Sequence, residues 1–597
     1  MPQQNSRKNL SLLIFVIFLI VSLGLLVWQA SGGIRSSISS VIPSNKQRIE
    51  ISLAYAPELE PILKDSITEF NTSFEKGMNP TTGKNLQNDE KIVRITGQSV
   101  SSGEARTKIV AAASNISSNN TPANNSLQPT IYAPTMSGWL NLVNLESGFS
   151  VFDINTAEST ATSPVGIAIW ESHLNLIKKK FPNTTIGYNE ILSVSKDPKG
   201  WKSLNSNISH QAIFSGFTDP QISSTALSAL TMQYYTATAN GTTQSEQLSP
   251  QEIKNETVQK QVSDFQQLIR HYSSNTVVFR DYISRGPDYL DMVPLAENDI
   301  IYVNQGKNTN KPPEKLVMLY PKEGSIVHDY PMAIPQAKWV SDDQRAAASE
   351  FIKYIKSPRV QAKYLDNGFR PTNTQIPLSN PVSPDFGVDP NEPKKTLKIP
   401  SGEVLSQVQT QWDFVKKTAR VVMLLDTSGS MQGEKLTNAK KALDLFMERL
   451  SGRNFIGLTH FDTAVQTINQ PESLESNRSQ IQSSLSELNA NGSTALYDGI
   501  INSIDQLSDL TMTNQIKAIV VLSDGQDTSS KSKLNDVIKK IESAQSNYQD
   551  IIVIPIAYGG DADMNSLNAI SRASKTTVVS GQTNDIDKLL TTISSYF

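Results

Sequence analysis

The order of apolar and polar positions divides the chain before any motif is considered. Residues 10–28 read LSLLIFVIFLIVSLGLLVW, nineteen positions without a charge. About 20 such residues form a helix long enough to cross a bilayer core. A cleaved secretory signal has a shorter apolar stretch, roughly 7–15 residues, so an uncleaved anchor is favoured. Gln29-Ala30-Ser31 leaves cleavage as the alternative. Beyond it, short apolar runs alternate with stretches of three-to-four periodicity. The runs at 49–54, 93–95, 130–133 and 165–169 read as strands, and those at 58–70, 225–236 and 342–355 as helices. From 419 the alternation restarts, with strands expected at 420–425, 454–460, 518–522 and 551–556. Each is nearly continuously apolar, as in a parallel strand covered by helices on both faces. The expected fold class is α/β throughout.

These patterns give boundaries: an N-terminus at 1–9, a membrane-spanning helix at 10–29, and a Ser/Gly-rich stalk at 30–47. A first α/β domain follows at 48–375, then a linker and helical strut at 376–417, then a second α/β domain at 418–597. Prolines at 377, 381, 384, 390, 393 and 400 give the linker an extended bias. Val404, Leu405, Val408, Trp412 and Val415 recur at helical spacing, so 401–416 is expected as a strut packed on a neighbour. Residues 111–128 read as a polar loop insertion. A length of 597 residues fits about two to four domains.

Composition narrows the chemistry. Basic residues number 54 against 57 acidic, a net charge of −3, which argues against a dedicated nucleic-acid binder. The chain has no cysteine, which excludes disulfides, thiolate metal sites, cysteine nucleophiles and a lipidated cysteine anchor. Its five histidines are scattered without an HExxH pair, and no GxxxxGKS is present. Arg7 and Lys8 precede the apolar span and only Arg35 follows it closely. The positive-inside rule then places the N-terminus in the cytoplasm and the bulk of the chain outside it. The expected location is the plasma (inner) membrane, single-pass.

Residues 421–425 run into Asp426-Thr427-Ser428-Gly429-Ser430-Met431, where alternation can turn Asp426, Ser428 and Ser430 toward one point around Gly429. The strand expected at 518–522 ends in Ser523-Asp524-Gly525. In an open parallel sheet the ligand crevice lies at the carboxyl ends of the strands, where strand order reverses. Carboxylates and hydroxyls there are hard oxygen donors suited to Mg²⁺. The segment resembles a von Willebrand factor A (VWA) domain with its metal-ion-dependent adhesion site. Asp426, Ser428 and Ser430 match the DxSxS element, Thr494 in Asn491-Gly492-Ser493-Thr494 the family's threonine, and Asp524 its distal aspartate. The resemblance implies a doubly wound, Rossmann-like domain that binds Mg²⁺, or Mn²⁺ or Ca²⁺, and takes the last ligand from an acidic residue of a protein partner.

The region 48–371 resembles a type II periplasmic solute-binding protein of the bacterial extracellular kind. The resemblance is carried by Pro129-Thr130-Ile131-Tyr132-Ala133-Pro134 with Trp139, by Ser163-Pro164-Val165-Gly166-Ile167-Ala168, and by Phe217-Thr218-Asp219-Pro220. Tyr320-Pro321-Lys322-Glu323-Gly324 and Gly368-Phe369-Arg370-Pro371 complete it. It implies two α/β lobes with a ligand cleft between them. Ser101, Ser102 and Gly103 precede one helical stretch and Ser223 and Ser224 another, a placement that suits a small anionic ligand and equally suits plain N-caps. Thr225-Ala226 stand where the family often has glycine. Glu171 and Asp219 are not placed together by the sequence, so no acid–base pair is expected and the chain is read as a non-enzyme. The function expected is that of a membrane-anchored extracytoplasmic binding protein, with the solute-binding module as sensor or spacer. The alternative is the binding component of an ATP-driven importer.

Overall fold

The computed structural model describes residues 47–597 except 88, 118–124, 240–246, 274, 309, 509–514, 547–550, 560–561, 582–589, 591–592 and 595–596. The membrane-spanning segment expected at 10–29 and nearly all of the expected stalk lie outside the described residues. Among the described residues no helix is long and apolar enough to cross a membrane.

The first apolar runs form β1 (Arg48–Tyr55), β2 (Ile92–Ser99) and β3 (Ile131–Ala133), a parallel sheet in the order β2-β1-β3. Helices Glu60–Glu75, Asp342–Ile355 and Pro358–Asp366 bury Phe70, Phe351, Tyr354 and Tyr364 in the same core as Leu53 and Ile131. Phe70 and Phe351 meet edge to face with centroids 5.0 Å apart, the geometry aromatic quadrupoles prefer. This is the first lobe.

β4 (Glu158–Ser159) and β5 (Ala161–Trp170) lead out of it, and β5 becomes the spine of the second lobe. That sheet also contains β6 (Ser215–Thr218), β7 (Ile269–Ser273), β8 (Met292–Ala296), β9 (Leu316–Leu319) and β10 (Ser325–His328). β8, β9 and β10 all pair antiparallel with β5. β11 (Pro331–Met332) returns antiparallel against β4, and β12 (Arg370–Pro371) pairs antiparallel with the start of β5. Two lobes joined by antiparallel crossovers result.

The proline-rich segment is not the extended tether that its composition suggests. β13 (Thr396–Leu397) adds to the second lobe beside β10, and Val382 and Val388 are buried. Arg370 holds the segment from below: its guanidinium donates to the carbonyls of Asp389, Pro390 and Glu392 while pairing with buried Glu297 at 2.7 Å. Backbone carbonyls that composition cannot reveal thus fix the prolines in place. The insertion expected at 111–128 is also partly regular, since the helix Ser102–Ser117 continues through its first residues.

The helix Gly402–Val415 appears where the periodicity placed it and touches both lobes. Gln409 is nearly fully buried; its carbonyl oxygen accepts from Arg106 of the first lobe (3.0 Å) and its amide donates to the carbonyl of Pro220 in the second (2.8 Å). Its backbone carbonyl accepts from Gln221. Close approach also occurs directly, because the Gly103 N–H donates across the lobes to the Ile222 carbonyl at 3.1 Å. A Cβ on Gly103 would lie 2.0 Å from the Gln221 carbonyl oxygen, so only glycine fits.

The C-terminal domain is one sheet of β14 (Ala419–Asp426), β15 (Phe455–Phe461), β16 (Val465–Ser473), β17 (Ile516–Ser523), β18 (Ile551–Tyr558) and β19 (Val579–Gly581), ordered β16-β15-β14-β17-β18-β19. Every neighbour is parallel except the edge strand β16. The order reverses between β14 and β17, which opens a crevice at their carboxyl ends. One apolar cluster continues from the second lobe through Val404, Val408 and Trp412 into Val421 and Met423.

Candidate functional site

Asp426 ends β14 and Asp524 follows β17, so the two central strands deliver both carboxylates to the crevice. Asp426 is fully buried; its Oδ1 accepts from the Ser428 N–H at 2.8 Å and its Oδ2 from the Ser523 hydroxyl at 2.6 Å. The Ser428 and Ser430 hydroxyls are 3.0 Å apart, and Ser430 donates to Asp524 Oδ1 at 2.7 Å. Lys435 donates to Asp524 Oδ2 at 2.5 Å. A Cβ placed on Gly525 would sit 3.8 Å from Ser430 Oγ and 3.9 Å from Thr494 Oγ1, so both hydroxyls close on the same point. Two backbone bonds, Gly429 N–H to Gly492 O and Asn491 N–H to Thr427 O, lace the loop after β14 to the loop that carries Thr494. All five positions proposed from the sequence therefore meet at one place.

Burial pushes the Asp426 carboxyl above the ordinary carboxylate range, and nearby Asp524 pushes it further, against the hydrogen bonds from Ser428 and Ser523. Two buried carboxylates beside three hydroxyls form an all-oxygen donor set, of the kind that suits a hard divalent cation such as Mg²⁺. Among the described residues no group of three His, Asp or Glu side chains gathers as a metal cluster, so the hydroxyls are essential to this reading. Ser523 and Lys435 were not singled out from the sequence. Ser523 adjoins Asp524 at a strand end, which is signal enough; Lys435 becomes visible only when the sheet places its helix beside β17.

Between the lobes lies a second hollow of about 510 Å³. Ser101, Ser102, Ser223 and Ser224 line it with Glu58, Glu104, Asn275 and Thr276. Three helices begin there, Ser102–Ser117, Ser224–Thr238 and Thr276–Ser284, so three helix N-termini border one cavity. Most of the hydroxyls are already engaged. Ser223 caps its helix by accepting from the Ala226 N–H, Ser224 accepts from the Trp139 indole at 2.7 Å, and Ser102 accepts from the Thr135 N–H. Ser101 Oγ is shielded from solvent and has no protein partner. Gly103 is not among the residues that line the cavity; its N–H is engaged in the lobe contact to the Ile222 carbonyl. Glu58 and Asn275 were missed; Asn275 caps its helix through Val278 N–H, a pattern the sequence carries. Loss of water and then Asp299 push the Glu58 carboxyl upward, against Arg280. Glu171 pairs with Lys315, while Asp219 caps the turn at Gln221, so the two acids occupy separate surroundings.

The family model described as von Willebrand factor type A domain matches residues 421–592, and the one described as bacterial extracellular solute-binding protein matches residues 51–370. Inter-alpha-trypsin inhibitor heavy chain H1 of Bos taurus is 25% identical over 167 residues, covering 26% of this chain and 18% of that protein. The chain spans about a fifth of the length of the curated relatives it matches. Among solved structures, von Willebrand factor type A from Catenulispora acidiphila is 21% identical, covers 30% of this chain and 43% of its own, and has a TM-score of 0.27. A periplasmic thiamin binding protein is 12% identical, covers 63% of this chain and 98% of its own, and has a TM-score of 0.39.

Proposed function

Because the chain belongs to the bacterial extracellular solute-binding protein family and carries a von Willebrand factor type A domain, we propose that it is a membrane-anchored extracytoplasmic binding protein that captures a protein partner through a divalent cation. The observation that carries this reading is the meeting of Asp426, Ser428, Ser430, Thr494 and Asp524 at the β14–β17 crevice. Ser428, Ser430 and Thr494 would hold the cation through their hydroxyls, and Asp426 and Asp524 would supply its balancing charge. Bound Mg²⁺ supplies a Lewis-acidic point that an acidic side chain of a partner can complete. The surrounding residues keep that point rigid: Ser523 orients Asp426, and the Gly429–Gly492 bond fixes the loops. The anchor is residues 10–29, and the bilobed module acts as sensor or spacer.

The test is capture from envelope extract by the immobilised chain with Mg²⁺, with chelator, and with Asp426→Ala. A partner held only by the wild type in Mg²⁺ supports the reading. Equal retention by Asp426→Ala in saturating Mg²⁺ contradicts it.

One observation favours a second reading, solute capture for an ATP-driven importer. It is the interlobe cavity with its three helix N-termini and the unpartnered Ser101 hydroxyl. A small solute that raises the melting temperature of the whole chain, and fails to do so for Ser101→Ala, would bring that reading forward.

A further inference from the structure

Lys435 is poorly explained by its own helix. It stands in the first turn of Glu434–Arg449, where the macrodipole disfavours a cation. Its position is nonetheless fixed, because the buried Tyr558 hydroxyl at the end of β18 donates to the Lys435 carbonyl at 3.0 Å. From there the ammonium reaches Asp524 Oδ2 at 2.5 Å. The two site carboxylates are thus treated differently. Asp524 faces a tethered cation, whereas Asp426 accepts from a backbone N–H and a hydroxyl. The Asp524 side chain is closed to solvent while that of Lys435 remains about a quarter exposed, with 27% accessible, so the lysine has a way out and the aspartate does not.

We propose that Lys435 is an internal counter-cation of the metal site, which neutralises Asp524 while no metal is bound and is exchanged for the divalent cation on binding. This rests on reading the crevice as a cation site. A buried carboxylate without a positive partner is costly, so the lysine stabilises the metal-free domain. The same charge opposes an arriving divalent cation at short range, so it lowers metal affinity. Lys435 therefore sets the concentration at which the site fills, and it leaves a mobile positive charge beside the position where an acidic partner would dock.

The experiment is titration calorimetry of Mg²⁺ into the full chain, wild type against Lys435→Met, with melting temperatures taken in chelator and in excess Mg²⁺. Lys435→Met is expected to bind Mg²⁺ about tenfold more tightly or better. It should melt below the wild type in chelator, with the deficit closing or reversing in Mg²⁺. Lys435→Gln, which keeps a donor to Asp524 without the charge, should do the same with a smaller deficit, and it serves if the methionine variant does not fold. A merely structural lysine would lower melting equally in both conditions and leave affinity unchanged, which overturns the proposal while leaving the wild-type metal site standing. Absence of Mg²⁺ binding by the wild type would overturn the site reading itself, and the proposal with it.

Discussion

The crevice of the C-terminal domain and the cleft of the bilobed module draw on the same material, serine hydroxyls and carboxylates at the starts of helices. They use it differently. In the crevice, Ser428 and Ser430 bond each other and Asp524, so the donors face inward on one another. In the cleft, Ser223 is occupied by its helix and Ser224 by Trp139, while the solvent-shielded Ser101 hydroxyl has no protein partner. Three of the five crevice donors come from five consecutive residues at the end of one strand, and sheet order brings the other two. The cleft joins segments more than a hundred residues apart, and its shape depends on how closely Gln409 and Gly103 hold the lobes. A hydroxyl at a helix start is therefore an ambiguous sign, and what surrounds it decides whether it caps or binds.

The largest effect that would sharpen the contrast is at Asp524. Asp524→Asn keeps the volume and removes the charge, and it should weaken Mg²⁺ binding by about a hundredfold or more, read by calorimetry. Circular dichroism should report an unchanged fold. Next comes acid. Burial pushes His328 down to about 3, and burial also lowers His173 and, further, His271; all three belong to the bilobed module. Burial disfavours the protonated form of each in the folded state, whereas the unfolded chain takes up protons below about pH 6.5, so the histidines' contribution to stability falls as pH drops. For His328 alone the loss between pH 7 and pH 5 should be about 2 kcal/mol, visible as a falling urea midpoint that His328→Gln makes shallower.

A smaller effect is expected at the helix that spans the lobes. Gln409→Ala orphans the Pro220 carbonyl and one bond of Arg106, at a cost of about 1–3 kcal/mol. The distance between labels on the two lobes should widen or broaden; an unchanged distance would mean that Gly103 and its neighbours hold the cleft by themselves. The smallest pair compares serines directly. Ser223→Ala should lose about 1 kcal/mol as a removed cap. Ser101→Ala should stay within about 0.5 kcal/mol of the wild type. If the two change stability equally, the distinction between capping and free hydroxyls fails.

Much of this was legible in the chain. The α/β alternation placed β1, β2, β3 and β5 of the bilobed module and β14, β15, β17 and β18 of the C-terminal domain, because buried strands are read from unbroken apolar runs; β6 to β10 were not among the strands expected. The edge strand β16 escaped notice, since Val465–Ser473 is half exposed and carries no such run. The proline-rich segment misled because its anchoring depends on Arg370 and on pairing with β10, both distant in sequence. Asp426, Ser428, Ser430 and Asp524 could be named because strand-end chemistry is local, and Thr494 because the VWA resemblance points to it, whereas Glu58 and the role of Gly103 depend on the approach of two lobes.

The most direct measurement is a Mg²⁺ titration of the full chain beside Asp426→Ala. Expected is one saturable site per wild-type chain and none in the variant, with the variant still folded. Equal binding by both proteins would show that the crevice is not the metal site, and the proposed mode of partner capture would fall with it.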